Sequence, residues 1–197
     1  MVTSQGTVKK TKLSEFGNIR RTGIIAISLD KGDELSSVRL VRAKDEMALA
    51  TKSGQSIRFK ESAVRAMGRG AAGVRAIRLK KSDMVTGFEV IPGGNDKELK
   101  LLVVMANGYA KQTPLSEYKV QGRGGSGIRT ATVTAKTGTI IASKVVGGGE
   151  TELFALSEKG QIIRTEIAQV RTTGRAAQGV RIMSLDSGDH LAGIAVI

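Results

Sequence analysis

A glycine that opens a basic segment recurs four times along this 197-residue chain, at Gly6, Gly54, Gly108 and Gly160, with intervals of 48, 54 and 52 residues. A second glycine follows each of them, at Gly23, Gly73, Gly127 and Gly179, after 17, 19, 19 and 19 residues. Self-similarity at a period near fifty residues restricts the chain to a repeat architecture, in which each unit buries its apolar surface against its neighbours. The repeats run approximately over 1–42, 43–92, 93–147 and 148–197, within a single domain. Cations at equivalent repeat positions are then expected to face the same way around the molecule.

The third repeat shows the pattern most fully. Leu99 to Met105 is a short apolar run, and Ala106-Asn107-Gly108 is a turn signal. Tyr109 to Thr113 forms a second segment, Ile128 to Val133 a third, and Ile140 to Val146 a fourth. The loose period-two alternation of Val74, Ala76 and Leu79 with Arg75, Arg78 and Lys80 argues strands with one wet face. Asp30 to Asp33 and Asp186 to Asp189 read as hairpin turns between third and fourth strands. Pro92-Gly93-Gly94 and Gly147 to Gly149 mark boundaries between units. No stretch of ten residues keeps a helical period. The fold class is all-β, with four-stranded units suggesting radial blades. Only five residues precede Gly6, so the first blade is expected to lack a strand.

Charge bears on function. Thirty-one Lys plus Arg stand against eighteen Asp plus Glu, a formal net charge of +13. In a chain that is 40% hydrophobic, such an excess favours a polyanionic partner. Aromatic residues are 3%, too few for the stacking platforms of single-strand and RNA readers, so duplex backbone binding fits better. There is no cysteine, which excludes disulfides and thiolate metal sites. The N-terminus is polar, without an apolar core of a signal peptide, and the chain reads as cytoplasmic.

Gly6 to Phe16, Ile57 to Gly68, Gly73 to Leu79 and Asn107 to Lys111 carry a family likeness. The chain resembles the C-terminal domain of the DNA gyrase A subunit, over essentially its whole length. The resemblance implies a β-pinwheel, a propeller-like disc of about four blades that exchange strands with their neighbours. It implies that duplex DNA is bound and bent around a basic rim, supporting negative supercoiling by a holoenzyme of the remaining gyrase A and the gyrase B subunits. It implies no chemistry and no cofactor within this domain. Gln121, Gly122, Arg123, Gly124, Gly125, Ser126 and Gly127 resemble a degenerate gyrase-A box, with Gly122 and Ser126 standing at two of its basic positions. Two other readings stand beside this one: a topoisomerase IV tail that recognises DNA geometry without strong wrapping, and a propeller scaffold for an acidic protein.

The expected DNA-binding residues follow the repeat. Arg20, Arg21, Arg69, Arg123 and Arg175 precede the second glycine of each unit. Lys10, Arg58, Lys111 and Arg164 lie in or beside the second strand, near one repeat position, with Lys9 and Lys60 adjacent to this set. Arg75, Arg129 and Arg181 each follow the residue after the second glycine. Gly68 to Gly73 and Gly122 to Gly127 match G-x-G-x-x-G, but strands follow them where a dinucleotide site needs a helix. With a single histidine, His190, neither a histidine-rich metal site nor a Ser-His-Asp arrangement is supported, and no metal is expected. The paired aspartates of the hairpins read as turn formers that satisfy local backbone N–H groups.

Overall fold

The computed structural model describes residues 1–93 and 98–197; Gly94, within the expected boundary turn, lies outside the described residues. Its strands form four antiparallel sheets. The first joins β1 (Val2–Thr3), β2 (Thr7–Val8), β3 (Leu35–Ser37) and β6 (Val74–Arg75) in the order β3-β1-β2-β6. The second joins β4 (Glu46–Thr51), β5 (Gln55–Lys60), β7 (Val85–Ile91) and β10 (Ile128–Arg129) in the order β10-β5-β4-β7. The third joins β8 (Lys100–Met105), β9 (Tyr109–Pro114), β11 (Ile140–Val146) and β14 (Val180–Arg181) in the order β11-β8-β9-β14. The fourth contains β12 (Glu152–Ser157), β13 (Ile162–Glu166) and β15 (Leu191–Val196), ordered β13-β12-β15.

A sheet is therefore not the same thing as a repeat. The third strand of each later repeat leaves its own unit and pairs with the second strand of the preceding one: β6 on β2, β10 on β5, β14 on β9. This exchange relocates the incomplete sheet. The first sheet keeps its opening strand in shortened form, as Val2–Thr3, and has four strands because the second repeat supplies β6. The three-stranded sheet is the fourth, where no exchanged strand from among the described residues lies on β13.

The two glycine sets serve different ends of this exchange. The first set closes the turn between first and second strands. At Gly54, the N–H donates to Thr51 O at 3.0 Å and φ is +89°, a conformation that side chains resist. The second set lets the exchanged strand approach. A Cβ on Gly73 would lie 2.7 Å from Val8 O and 2.8 Å from the Thr7 methyl group.

The apolar core is divided in three, one cluster at each junction between sheets. Val2, Val8, Leu49, Phe59 and Ile77 fill the first; Leu101, Val103, Leu115 and Ile140 the second; Leu102, Val104, Leu153 and Ile167 the third. The central strand β8 is buried from Leu101 to Met105, and its alternate residues serve different clusters: Leu101, Val103 and Met105 face one junction, Leu102 and Val104 the next. Such a strand has no wet face, which explains why it reads as a continuous apolar run. Four 3-10 turns, at Leu13–Phe16, Glu61–Ala63, Leu115–Glu117 and Ile167–Gln169, provide the helical geometry present among the described residues.

Candidate nucleic-acid interface

In the first three repeats, a polar side chain within or just beyond the second strand reaches into the next repeat. Lys10 Nζ donates to Glu61 O at 3.2 Å and pairs with the Glu61 carboxylate. Arg58 donates from Nη1 to Leu115 O at 2.9 Å and Tyr118 O at 3.3 Å, while its Nε donates to Glu46 Oε2 at 2.6 Å. Gln112 donates from Nε2 to Ile167 O at 2.6 Å and Val170 O at 2.7 Å. In all three places, the acceptors are carbonyls of the next 3-10 turn or its C-terminal flank. Glu61 O, Leu115 O and Ile167 O each also accept an N–H of their own turn, from Val64, Tyr118 and Val170, so the neighbouring repeat adds a second donor to a carbonyl with two lone pairs.

This geometry revises three expected phosphate contacts. Arg58, Lys9 and Lys111 are buried, and their nitrogens are committed to the protein interior. Lys9 Nζ donates to Ala26 O at 2.7 Å and to Arg69 O; Lys111 Nζ donates to Gly174 O at 2.8 Å and Arg175 O at 2.5 Å. Lys111 is the counterpart of Lys9, three residues beyond the first glycine of its repeat, and Gln112 occupies the position of Lys10, Arg58 and Arg164. Burial lowers the Lys111 ammonium pKa to about 8, with Arg175 acting in the same direction and Glu117 opposing. Burial, followed by repulsion from Arg69, also lowers that of Lys9. These lysines brace the arginine-bearing loops from beneath.

The loop arginines bridge successive repeats. Arg69 Nη1 donates to Ile25 O at 3.2 Å, Arg123 Nη1 to Arg75 O at 3.1 Å and Arg175 Nη1 to Arg129 O at 3.0 Å. Each acceptor is the second residue after the second glycine in the preceding repeat. Arg123 is exposed, Arg69 and Arg175 are half-buried, and a guanidinium retains further donors when one is engaged. Arg20, Arg21, Lys60, Arg75, Arg129, Arg164 and Arg181 are exposed, whereas Lys10 is half-buried. Arg164 folds back onto Glu152, donating from Nε to Oε2 at 2.9 Å; this contact raises the Arg164 pKa and lowers that of Glu152. Arg181 Nη2 donates to Tyr109 Oη at 3.1 Å, and its guanidinium stands 5.5 Å from the Tyr109 ring centroid.

A further set of cations lies outside the expected residues. Arg65, Lys119 and Arg171 each stand eleven residues after the first glycine, immediately beyond the 3-10 turn, and all are exposed. Recurrence alone is the signal that could have found them. No glycine adjoins them, so the landmarks that mark the other sets do not point to this one.

The four-unit organisation agrees with the comparison to known proteins. The family model for the DNA gyrase C-terminal domain, beta-propeller, matches residues 1–42, 45–92, 100–146 and 151–197. The chain belongs to that family. It is 45% identical over 191 residues to the DNA gyrase A subunit of Deinococcus deserti, covering 96% of this chain and 23% of that protein. It is 43% identical over 197 residues to the gyrase A protein of Mycolicibacterium smegmatis, covering 99% and 23%. The chain thus spans about a quarter of the length of these relatives.

Among solved structures, a DNA gyrase A C-terminal domain is similar with TM-score 0.86 and 25% identity, over 100% of this chain and 64% of that one. A topoisomerase IV C-terminal domain shares the fold with TM-score 0.92 at 24% identity, over 100% and 60%. The all-β pinwheel of gyrase C-terminal domains is therefore the architecture of this chain.

Within that architecture, the box-like segment lies along the second sheet's neighbours. Gln121 N donates to Arg58 O at 2.7 Å and Gly124 N to Ala76 O at 2.6 Å; Gly125 O accepts from Arg78 N at 2.8 Å. Arg123 Nε donates to Ala63 O at 2.8 Å. The exposed glycines Gly122 and Gly125, together with Ser126, leave the surrounding surface open around Arg123. His190 forms a surface contact, Nδ1 to Asn107 Oδ1 at 3.0 Å.

Proposed function

We propose that this chain binds and bends duplex DNA with little sequence preference, by phosphate contacts from the exposed cations that recur in its repeats. In this reading it contributes no catalytic group and serves a bacterial cytoplasmic gyrase, whose cleavage and ATPase machinery lies elsewhere in the holoenzyme. Wrapping would present a DNA segment of defined crossing sign for strand passage, supporting negative supercoiling.

The observation that carries the proposal is periodic exposure of charge. Arg65, Lys119 and Arg171 recur beside the loop arginines Arg69, Arg123 and Arg175, so each repeat from the second to the fourth brings the same pair of cations to its surface. Phosphates also recur, and a curved row of cations can follow them without reading bases. The exposed members of the expected set, Arg20, Arg21, Lys60, Arg75, Arg129, Arg164 and Arg181, extend the row. The two interior lysines and Arg58 contribute indirectly, by holding loops and junctions.

The test is duplex affinity as a function of salt, for the unaltered chain and for Arg65→Glu/Lys119→Glu/Arg171→Glu. Each lost phosphate contact should reduce the log–log salt slope by about 0.9 in magnitude, so the triple variant should lose about 2.7 units of slope as well as affinity. An unchanged slope, with the fold preserved by circular dichroism, would place binding elsewhere. Preference for an acidic peptide over duplex would overturn the DNA reading.

A further inference from the structure

The residue three places beyond the first glycine alternates along the chain: Lys9, Ile57, Lys111 and Ile163. Lys9 and Ile57 are 1% exposed and Lys111 is 0% exposed, so lysine and isoleucine take turns at one interior position. Over the two lysines lie the loops of Arg69 and Arg175, each in the repeat that follows. Lys9 Nζ donates to the main-chain carbonyl of Arg69, and Lys111 Nζ to that of Arg175. The interior lysine therefore grips the arginine residue itself, by its backbone.

With the backbone held from within, the guanidinium carries little of its loop. Among the described residues, Arg69 donates only from Nη1, to Ile25 O, and Arg175 only from Nη1, to Arg129 O. An isoleucine offers no donor. Arg123, in the repeat that follows Ile57, holds its loop by its own head, with Nε donating to Ala63 O at 2.8 Å and Nη1 to Arg75 O at 3.1 Å. Nε together with one Nη forms the fork that grips two oxygens of a phosphate. At Arg123 that fork is spent on the protein; at Arg69 and Arg175 the Nε donor is open.

We propose, resting on the duplex-binding reading above, that Lys9 and Lys111 are positioning residues, which relieve Arg69 and Arg175 of structural duty and hold them ready for a DNA phosphate. Charge acts in the same direction. Besides the cost of burial, Arg69 repels the Lys9 ammonium, and Arg175 repels that of Lys111 against the attraction of Glu117. Each braced loop thus keeps two cations close together, one in the interior and one above it, and an anion at the guanidinium offsets their repulsion. The second and fourth repeats hold phosphate through these arginines more strongly than the third does through Arg123.

The test is a double-mutant cycle on duplex affinity in the 197-residue chain, read across salt concentrations. Arg175→Gln should reduce the log–log salt slope by about 0.9, making the fall in affinity between 50 and 200 mM salt about 3.5-fold smaller. Lys111→Ile, which installs the residue native to this position in alternate repeats, should do much the same. Because Lys111 acts through Arg175, the double variant should bind no more weakly than Arg175→Gln alone. Arg123→Gln should change the slope less than Arg175→Gln and lower the melting temperature more. A phosphate beside Arg175 favours the charged form of Lys111, so affinity should be level below about pH 8, fall as pH rises above it, and fall less steeply in Lys111→Ile. If Lys111→Ile is unfolded by circular dichroism, Lys9→Ile with Arg69→Gln forms the same cycle at the other braced loop. Additive losses, or a slope reduced in Arg175→Gln but kept in Lys111→Ile, would overturn the positioning role and leave duplex binding standing. A slope unchanged in Arg175→Gln would overturn it too, and the duplex reading falls with it only if Arg65→Glu/Lys119→Glu/Arg171→Glu is equally silent.

Discussion

Lys111 shows how far the meaning of a cation depends on where its nitrogen ends. Its ammonium is enclosed and hydrogen-bonded to Gly174 O and Arg175 O, so it stabilises the local loop path against a desolvation cost. Its folded pKa, about 8, lies below the ordinary 10.5. Between those values the unfolded chain holds more protons than the folded one, so this residue's contribution to stability rises with pH. Below pH 8 both states are charged and the full burial penalty remains. The melting temperature of the unaltered protein should therefore gain on that of Lys111→Met as pH rises from 8 to 10.5. Parallel pH curves would show that the charge is not buried as described. At neutral pH the variant also removes the ammonium donor from Arg175 O and from Gly174 O, of which Gly174 O still accepts from Ala177 N at 3.1 Å.

At the scale of elements, the exchanged strands make each junction a shared possession of two repeats. Gly73 combines φ +113° with the close approach of Val8 O, so an added methyl group meets both backbone strain and a carbonyl that cannot retreat without breaking β2–β6 pairing. Gly23 has φ +79° but open space around it. Gly73→Ala should destabilise by about 2 kcal/mol or more, and Gly23→Ala by about 1 kcal/mol, in chemical denaturation. Equal losses would mean that the exchanged strand imposes no constraint at the first junction. The sequence pattern made the two glycine sets visible and placed the strands beside them. The exchange was implied by the family resemblance and not by the pattern itself, because the spacing of strands along a chain is identical whether the third one joins its own sheet or the neighbour's.

Over the whole molecule, the +13 charge is distributed by the repeat. Bending a 20–30 bp duplex costs about 1–6 kcal/mol, which must be offset by contacts along the arc. If the exposed cations act together in this way, the chain should bind a small DNA circle more tightly than the same sequence in linear form, because the circle is already curved. Equal affinity in a competition gel shift would favour a role in recognising DNA without bending it. The charge excess was plain in the sequence; its division into surface and interior was not. Lys9, Arg58 and Lys111 have the same side-chain chemistry and sequence neighbourhood as the exposed cations, yet the packing of adjacent repeats closes over them.

The sequence alone determined the repeat number, the all-β class and the family likeness, since these rest on local turn chemistry and on periodic apolar runs. It also determined that cations recur, because recurrence is a property of order along the chain. Tertiary structure alone decided which sheet each third strand enters, which sheet is left with three strands and which cations face solvent. Those outcomes depend on contacts between residues of different repeats, far apart along the chain, where a neighbour's carbonyls, and not the residue's own type, set the destination of its side chain.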